Sequence, residues 1–389
     1  MTTPFSAGGI ASLVADHQVL ICCGSGGVGK TTIAAVLALE GARQGRTTCV
    51  ITIDPAKRLA DALGLEHLSD TPSDIDRGRW DEDGTAKPDG ALSALMLDTK
   101  STFDRLVTAN ATTPGQAQRI LDNRFYRNVS GALGGTQEYM AMEKLHELHD
   151  AGDFDLIVID TPPTRHALDF LDAPRRLLRL LDNRIFRMLM MPTRAYLKVA
   201  SVAVQTFLRT VARVVGSEAI DDVVAFFRAF EGMEAGFRDR ALAVEALLAS
   251  PNTAFVLVTS PRRDAMEEAQ YFASQLERQG QAIDALIVNR VHPTFGDASP
   301  AGLRAAAGEL AARPDDAAQR LAARYANLAA FREIAELERA HLEGVQSRVG
   351  ADAIAFVPYL ARDVYDFAAL REIGTTLFAT VGSGPDATA

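Results

Sequence analysis

The sequence predicts an α/β fold: a doubly wound, mostly parallel sheet with a helical subdomain inserted over the site that its first loop forms. Three observations carry this. A strand, a glycine-rich loop and a helix follow one another near the start, from Val19 to Leu39. Apolar, β-branched runs then alternate with stretches of helical period, the pattern of a sheet buried on both faces. Finally, the helical material at 100–151 and 168–250 is too long for simple crossovers and must form a layer of its own.

In chain order, Val19, Leu20 and Ile21 make the first strand, and Ile33 to Leu39 continue as a helix. After the break at Gly45, Thr47 to Ile53 reads as a second buried strand closing on Asp54-Pro55-Ala56. The acidic, Gly- and Pro-containing stretch from Asp70 to Gly90 reads as a surface loop, with the only tryptophan, Trp80, as a local anchor. Leu92 to Leu97 is a short strand, and Phe154 to Asp160 a buried one that ends in an acid. Strands resume at 255–259, 283–289 and 353–357, making about seven, with helices at 264–278, 301–345 and 364–378 between and after them. The expected organisation is one domain over 1–389, with a core from 1–99, 152–167 and 251–381. The helical subdomain comes from 100–151 and 168–250, and 382–389 is a flexible tail.

The loop Gly24-Ser25-Gly26-Gly27-Val28-Gly29-Lys30-Thr31-Thr32 has the residues of a phosphate loop in the right context. Glycines let backbone N–H groups turn inward around an anion, and the helix start adds the positive end of its dipole. Lys30 then reaches the terminal phosphates, and Thr31 offers its hydroxyl to Mg²⁺. The bland alternative is a glycine-rich turn that carries no ligand. Asp54 and Asp160 both close strands, where side chains of an open parallel sheet meet the ligand crevice. Asp160 suits a carboxylate that supports the metal. Asp54 fits a catalytic role, against the alternative of a cap for the helix beginning near Lys57. His166 fits either a nucleotide-sensing residue or a satisfied polar group. His146 and His149, with Glu143 and Glu147, read as an exposed helix face of mixed charge rather than a metal site.

At 48% hydrophobic and 23% charged residues, the composition is that of an ordinary globular protein. A net charge of −10 argues against nucleic acid as a partner. The three cysteines, Cys22, Cys23 and Cys49, lie in or beside apolar strands, as buried thiols of a cytoplasmic protein do. The first fifteen residues lack a basic, then apolar, leader, and no apolar run approaches the ~18 residues of a membrane span. The expected location is the cytoplasm, peripheral to the inner membrane face at most.

At Gly24 to Thr32, Asp54 to Asp61 and Asp160 to His166 the chain resembles the ArsA-like ATPases, which include the arsenite-pump and guided-entry ATPases. It is similar in particular to the paired ArsA-like anion-transporting ATPases of actinobacteria. The resemblance implies a P-loop ATPase that uses ATP and Mg²⁺. Gly26, Gly27, Val28, Gly29 and Lys30 would line the phosphates and Thr32 would touch the α-phosphate. Thr31 and Asp160 would serve the metal, and Asp54 would orient the attacking water. The adenine-binding Asn is matched by Asn289, and the adenine loop by Pro358-Tyr359. Gly135-Thr136-Gln137-Glu138 resembles a loop that opens a helix near the nucleotide. Two departures stand out. The family's deviant phosphate loop carries a second lysine that reaches a partner's nucleotide, and Ser25 occupies that position here. No Cys-x-x-Cys pair exists, and the cysteines are misplaced for metalloid, so neither zinc nor arsenite is implied.

The missing lysine points to a heterodimer with an ArsA-like paralogue that keeps it. From Arg165 to Val215 the chain holds ten basic and three acidic residues, with Met188, Met190 and Met191 among them. Such a segment suits an apolar client helix or an anionic membrane surface, while core packing of the methionines is the competing reading. Two other functions fit the same motifs: a non-catalytic nucleotide-binding regulatory subunit, and a MinD- or ParA-like positioning ATPase.

Overall fold

The computed structural model describes residues 8–54, 58–129, 136–162, 164–184 and 217–378. Its centre is an eight-stranded sheet in the order β3-β4-β2-β5-β1-β6-β7-β8. The strands are β1 (Val19–Gly24), β2 (Thr47–Thr52), β3 (Ser73–Asp74), β4 (Ala91–Met96), β5 (Leu156–Asp160), β6 (Thr253–Thr259), β7 (Ala285–Val291) and β8 (Ala353–Pro358). All pair in parallel except β3, which runs antiparallel to β4 at the edge.

β3 corrects the count of seven strands. The 70–90 stretch is not a bare loop, because it also contains the short α4 (Arg77–Trp80). Trp80 is its anchor, buried with its indole N–H donating to the Ile75 carbonyl at 3.1 Å. The Arg77 guanidinium lies 5.3 Å from its ring centre.

The strand residues alternate strictly between two cores, as a pleated sheet covered on both sides requires. Leu20, Cys22, Val50, Leu156, Val158, Val256 and Ile287 face one core, with α1 (Gly8–Asp16), α2 (Lys30–Arg43), α3 (Arg58–Ala62) and the C-terminal helix Phe367–Leu377. That helix, α16, is preceded in the chain by α12 (Arg263–Arg278), α13 (Pro300–Ala311), α14 (Asp316–Leu342) and α15 (Val345–Val349). Ile21, Ile51, Ile157, Ile159, Phe255 and Leu286 face the other core, with α12 and α15. The α2 side is lined by small groups: Ala34, Ala35 and Ala38 let that helix lie close on the sheet and bring its first turn to the ends of the strands.

A third, all-helical core joins α5 (Thr99–Asn110), α6 (Pro114–Leu121), α7 (Arg124–Val129), α8 (Thr136–Ala151), α9 (Thr164–Asp182), α10 (Ser217–Ala229) and α11 (Glu234–Leu248). Aromatic contacts hold it, including Phe103 on Tyr126 at 5.4 Å and Phe226 on Phe230 at 5.0 Å between ring centres. The face carrying His146 and His149 is not simply exposed, because α8 is packed between helices. Glu143 is buried against Arg240 of α11, and Lys144 is buried with its ammonium 3.0 Å from Glu147. Residues 185–216, with Met188, Met190 and Met191, lie outside the described residues, as does the 382–389 tail. The Arg175 guanidinium, at the start of the basic segment, pairs with Glu245 at 2.7 Å. Among the described residues no helix is long and apolar enough to cross a membrane.

Candidate functional site

The carboxyl end of β1, between those of β5 and β6, opens into the glycine loop. Gly24 has φ +149°, and a Cβ there would stand 2.0 Å from the Val258 carbonyl oxygen, so only glycine lets the loop leave so close to β6. Gly29 caps α2 with φ +95° and supplies no side-chain acceptor. The first N–H groups of α2 therefore keep their donors and the positive end of the helix dipole for another partner.

Around this helix start the side chains converge. Lys30 is buried and its ammonium donates to the Ser25 carbonyl at 2.8 Å. Burial pushes its pKa down, and the opposing charge of Asp160 works against that. Thr31 donates its hydroxyl to Asp160 Oδ2 at 2.7 Å, and Thr52 donates to the same oxygen at 3.0 Å. Thr52 and Asp160 are register partners on β2 and β5, and both fall on the α2 side of the sheet. Asp160 Oδ1 is buried and has no hydrogen-bond partner, and desolvation raises the carboxyl to about 6. A buried, half-satisfied carboxylate is expensive to keep unless something else uses it. Together with the Thr31 hydroxyl it is an oxygen donor set that fits Mg²⁺, a hard cation that usually takes one or two carboxylates and keeps several waters. Ser25 Oγ, in the loop itself, is likewise buried and without a partner.

Asp54 stands at the neighbouring strand end, half-buried. Its backbone N–H donates to Thr52 Oγ1 at 3.2 Å, and its Oδ2 lies 3.4 Å from the exposed Arg58 guanidinium. On the other side of β1, Asn289 at the end of β7 donates its amide to the Val28 carbonyl at 2.8 Å and so braces the loop. Next to it Arg290 has φ +63°, the only non-glycine residue with positive φ among those described, at an irregularity in the β7–β8 pairing. Pro358 ends β8, and the exposed ring of Tyr359 stacks on His292 at 5.2 Å and 12°. His292 is fixed in turn by Glu338, which accepts from its backbone N–H at 2.8 Å and contacts its Nδ1 at 2.8 Å.

Of the residues expected from sequence, Lys30, Thr31 and Asp160 form one contact set, Asp54 joins it through Thr52, and Asn289 touches the loop. Thr32 lies in the first turn of α2. Tyr359 stacks on His292, and its backbone N–H donates to the Val291 carbonyl at 2.9 Å. Pro55, Ala56, Lys57, Gly135 and Pro163 lie outside the described residues, as do the side chains of Arg165 and His166. Sequence reasoning passed over Thr52, although strand alternation places it on the face of β2 that also presents Val50 to α2. It also passed over His292 and Glu338, for which no local signal exists.

A parallel sheet with a glycine loop on an uncapped helix, a buried lysine, and a threonine hydrogen-bonded to an acid on the adjacent strand define a P-loop nucleoside-triphosphatase. Comparison with known proteins narrows the class. A profile of the family described as anion-transporting ATPase matches residues 17–301. An uncharacterized protein of Streptomyces coelicolor is 30% identical over 280 residues, covering 71% of this chain and 63% of that protein. A putative arsenical pump-driving ATPase 1 of Aquifex aeolicus is 25% identical over 285 residues, 71% of this chain and 64% of its own. The ATPase GET3 of Malassezia globosa is 29% identical over 164 residues, 42% of this chain and 44% of that one. The chain belongs to the anion-transporting ATPase family. It spans less than two thirds of the length of these relatives. The family and the relatives of known description are named as ATPases.

Proposed function

We propose that this chain binds ATP with Mg²⁺ at the Gly24–Thr32 loop and hydrolyses it, using nucleotide state to move the helical layer built from 100–151 and 168–250. The observation that carries this is the unsatisfied, buried Asp160 Oδ1 beside the Thr31 hydroxyl and the uncapped start of α2. Bound there, Mg²⁺ would supply positive charge to the phosphates as they separate. The loop N–H groups of Gly26 to Gly29 and the Lys30 ammonium hold the phosphates, and Lys30 exchanges the Ser25 carbonyl for them. Thr32 contacts the α-phosphate, and Thr31 with Asp160 holds the metal. Asp54 accepts a hydrogen bond from the attacking water and sets its line of approach. Asn289 and the Pro358-Tyr359 turn take the adenine, with Asn289 leaving Val28 to do so.

The Ser25 hydroxyl brings no charge, so the chain works as one subunit of a heterodimer whose paralogue supplies the lysine that Ser25 replaces. Charge given in trans to a phosphoryl transition state is worth about 10³ to 10⁵ in rate when an arginine supplies it. The working surface is the basic, Met-rich segment 175–215, which receives an apolar client helix or an anionic membrane. A non-catalytic regulatory subunit is the second reading, and Ser25 is what favours it.

One experiment addresses hydrolysis and pairing: phosphate release from Mg²⁺-ATP by the purified chain, alone and mixed with an ArsA-like paralogue, beside the Asp54→Asn variant. The expected result is slow turnover alone, faster turnover in the mixture, and no turnover in the variant, which still binds ATP in a calorimetric titration. Parental turnover by Asp54→Asn removes Asp54 from its role, and equal rates alone and mixed remove the heterodimer.

A further inference from the structure

The peptide that joins Ile53 to Asp54 is held at both of its polar atoms by side chains from different parts of the molecule. Its N–H donates to Thr52 Oγ1 at 3.2 Å. Its carbonyl accepts from Gln137 Nε2 at 2.9 Å. Thr52 is itself tied to Asp160 Oδ2 at 3.0 Å, so one jaw is continuous with the carboxylate beside Thr31. Gln137 belongs to the first turn of α8, a helix that packs into the helical layer through Met140 and Tyr139. It packs into the sheet through Ala141, Met142 and Leu145.

A peptide plane pinned at N–H and C=O cannot rotate about its flanking bonds without breaking one of the two contacts. The next atom along the chain is the Asp54 Cα, from which the carboxylate projects. Any shift or rotation of the first turn of α8 therefore passes to Asp54 through Gln137, and any change at Asp160 passes to it through Thr52.

We propose that Thr52 and Gln137 clamp the Ile53–Asp54 peptide, and that Gln137 is the positioning residue through which the helical layer sets where the Asp54 carboxylate stands. This rests on the reading of Asp54 as the residue that orients the attacking water. Neither side chain touches the reacting atoms. Their contribution is geometric, and a misplacement of about 1 Å near a reacting centre costs on the order of a hundredfold in rate.

The test compares Thr52→Val, which keeps the shape and removes the hydroxyl, Thr52→Ser, which restores it, and Gln137→Met, which keeps the length and removes the donor. Two readouts are taken. The first is amide hydrogen exchange over residues 50–54 of the protein without added nucleotide. The second is kcat and KM for Mg²⁺-ATP, in whichever assembly turns over fastest, with Asp54→Asn in the same panel. The expected result is faster exchange of the Asp54 amide and a kcat lower by about ten- to a hundredfold in Thr52→Val and Gln137→Met. KM stays within about threefold, the mark of a loss confined to the transition state. Thr52→Ser returns both readouts to near the parental values. Parental exchange and kcat in both Thr52→Val and Gln137→Met overturn the clamp, as does a Thr52→Ser variant no better than Thr52→Val. Gln137 is exposed, so its variant tests the idea even if Thr52→Val, at a buried position, does not fold. Parental turnover by Asp54→Asn would sink the underlying reading of Asp54 and leave the exchange result to judge the clamp itself.

Discussion

Replacing Gly29 by alanine sets one methyl group against the side chain that braces the phosphate loop, Asn289. The residue has φ +95°, and holding an L-residue in left-handed backbone costs about 1–2 kcal/mol. The added Cβ would lie 2.2 Å from Asn289 Nδ2, so the amide must withdraw from the Val28 carbonyl. Leaving that buried carbonyl unpaired costs about 1–3 kcal/mol more. The sum is about 2–5 kcal/mol. Urea denaturation followed by fluorescence of the single, buried Trp80 reads it directly. Asn289→Ala alone should show only the lost hydrogen bond. The double variant should then be at least about 1 kcal/mol less destabilised than the sum of the two singles, because the amide that the methyl displaces is already gone. Gly29→Ala within about 0.5 kcal/mol of the parent, the range of an ordinary surface change, would rule out the clash with Asn289, and so would strict additivity.

The remaining predictions concern the helical layer and the thiols. Arg240→Ala removes the cation from the buried Glu143 carboxylate, leaving the Tyr139 hydroxyl 3.4 Å away, and should cost about 3 kcal/mol, the low end for a broken buried pair because Arg240 is partly exposed. Adding Glu143→Gln should return much of that in the same denaturation assay. Cys23 and Cys49 are pushed up to about 12 by burial, and Cys22 is also raised, so a thiol reagent at pH 8 meets almost no accessible thiolate. The folded protein should react far more slowly than the same chain in denaturant, where all three cysteines titrate.

Much of this architecture can be read from the chain because its strands are buried on both faces. Leu156 to Ile159 and Phe255 to Val258 announce themselves as unbroken apolar runs with no competing period. The two-residue β3 has no such signal: Ser73-Asp74 is a strand only because its backbone finds β4. The core of the site was legible for a similar reason. Gly24 to Thr32 is contiguous, and its conformational demands are written in its glycines. Thr52 was not, and Gln137 stood out only as part of a loop resembling one near the nucleotide, because their partners lie far off in sequence: 108 residues separate Thr52 from Asp160, and 84 separate Gln137 from Ile53. A hydroxyl in a strand and an amide in a first helical turn are ordinary until the fold brings them to one peptide. The same distance hid the burial of Glu143 on the His146–His149 face, since the partner that buries it is Arg240, on another helix.

Whether Lys30, Thr31 and Asp160 form a nucleotide site completed by Mg²⁺ is decided by calorimetric titration of ATP into the purified chain, with and without Mg²⁺. The expected result is saturable binding that tightens when Mg²⁺ is present, loses that Mg²⁺ response in Asp160→Asn, and falls sharply in Lys30→Ala. Binding that is indifferent to Mg²⁺ and unchanged in Lys30→Ala, or no binding at all by the folded parent chain, would contradict it.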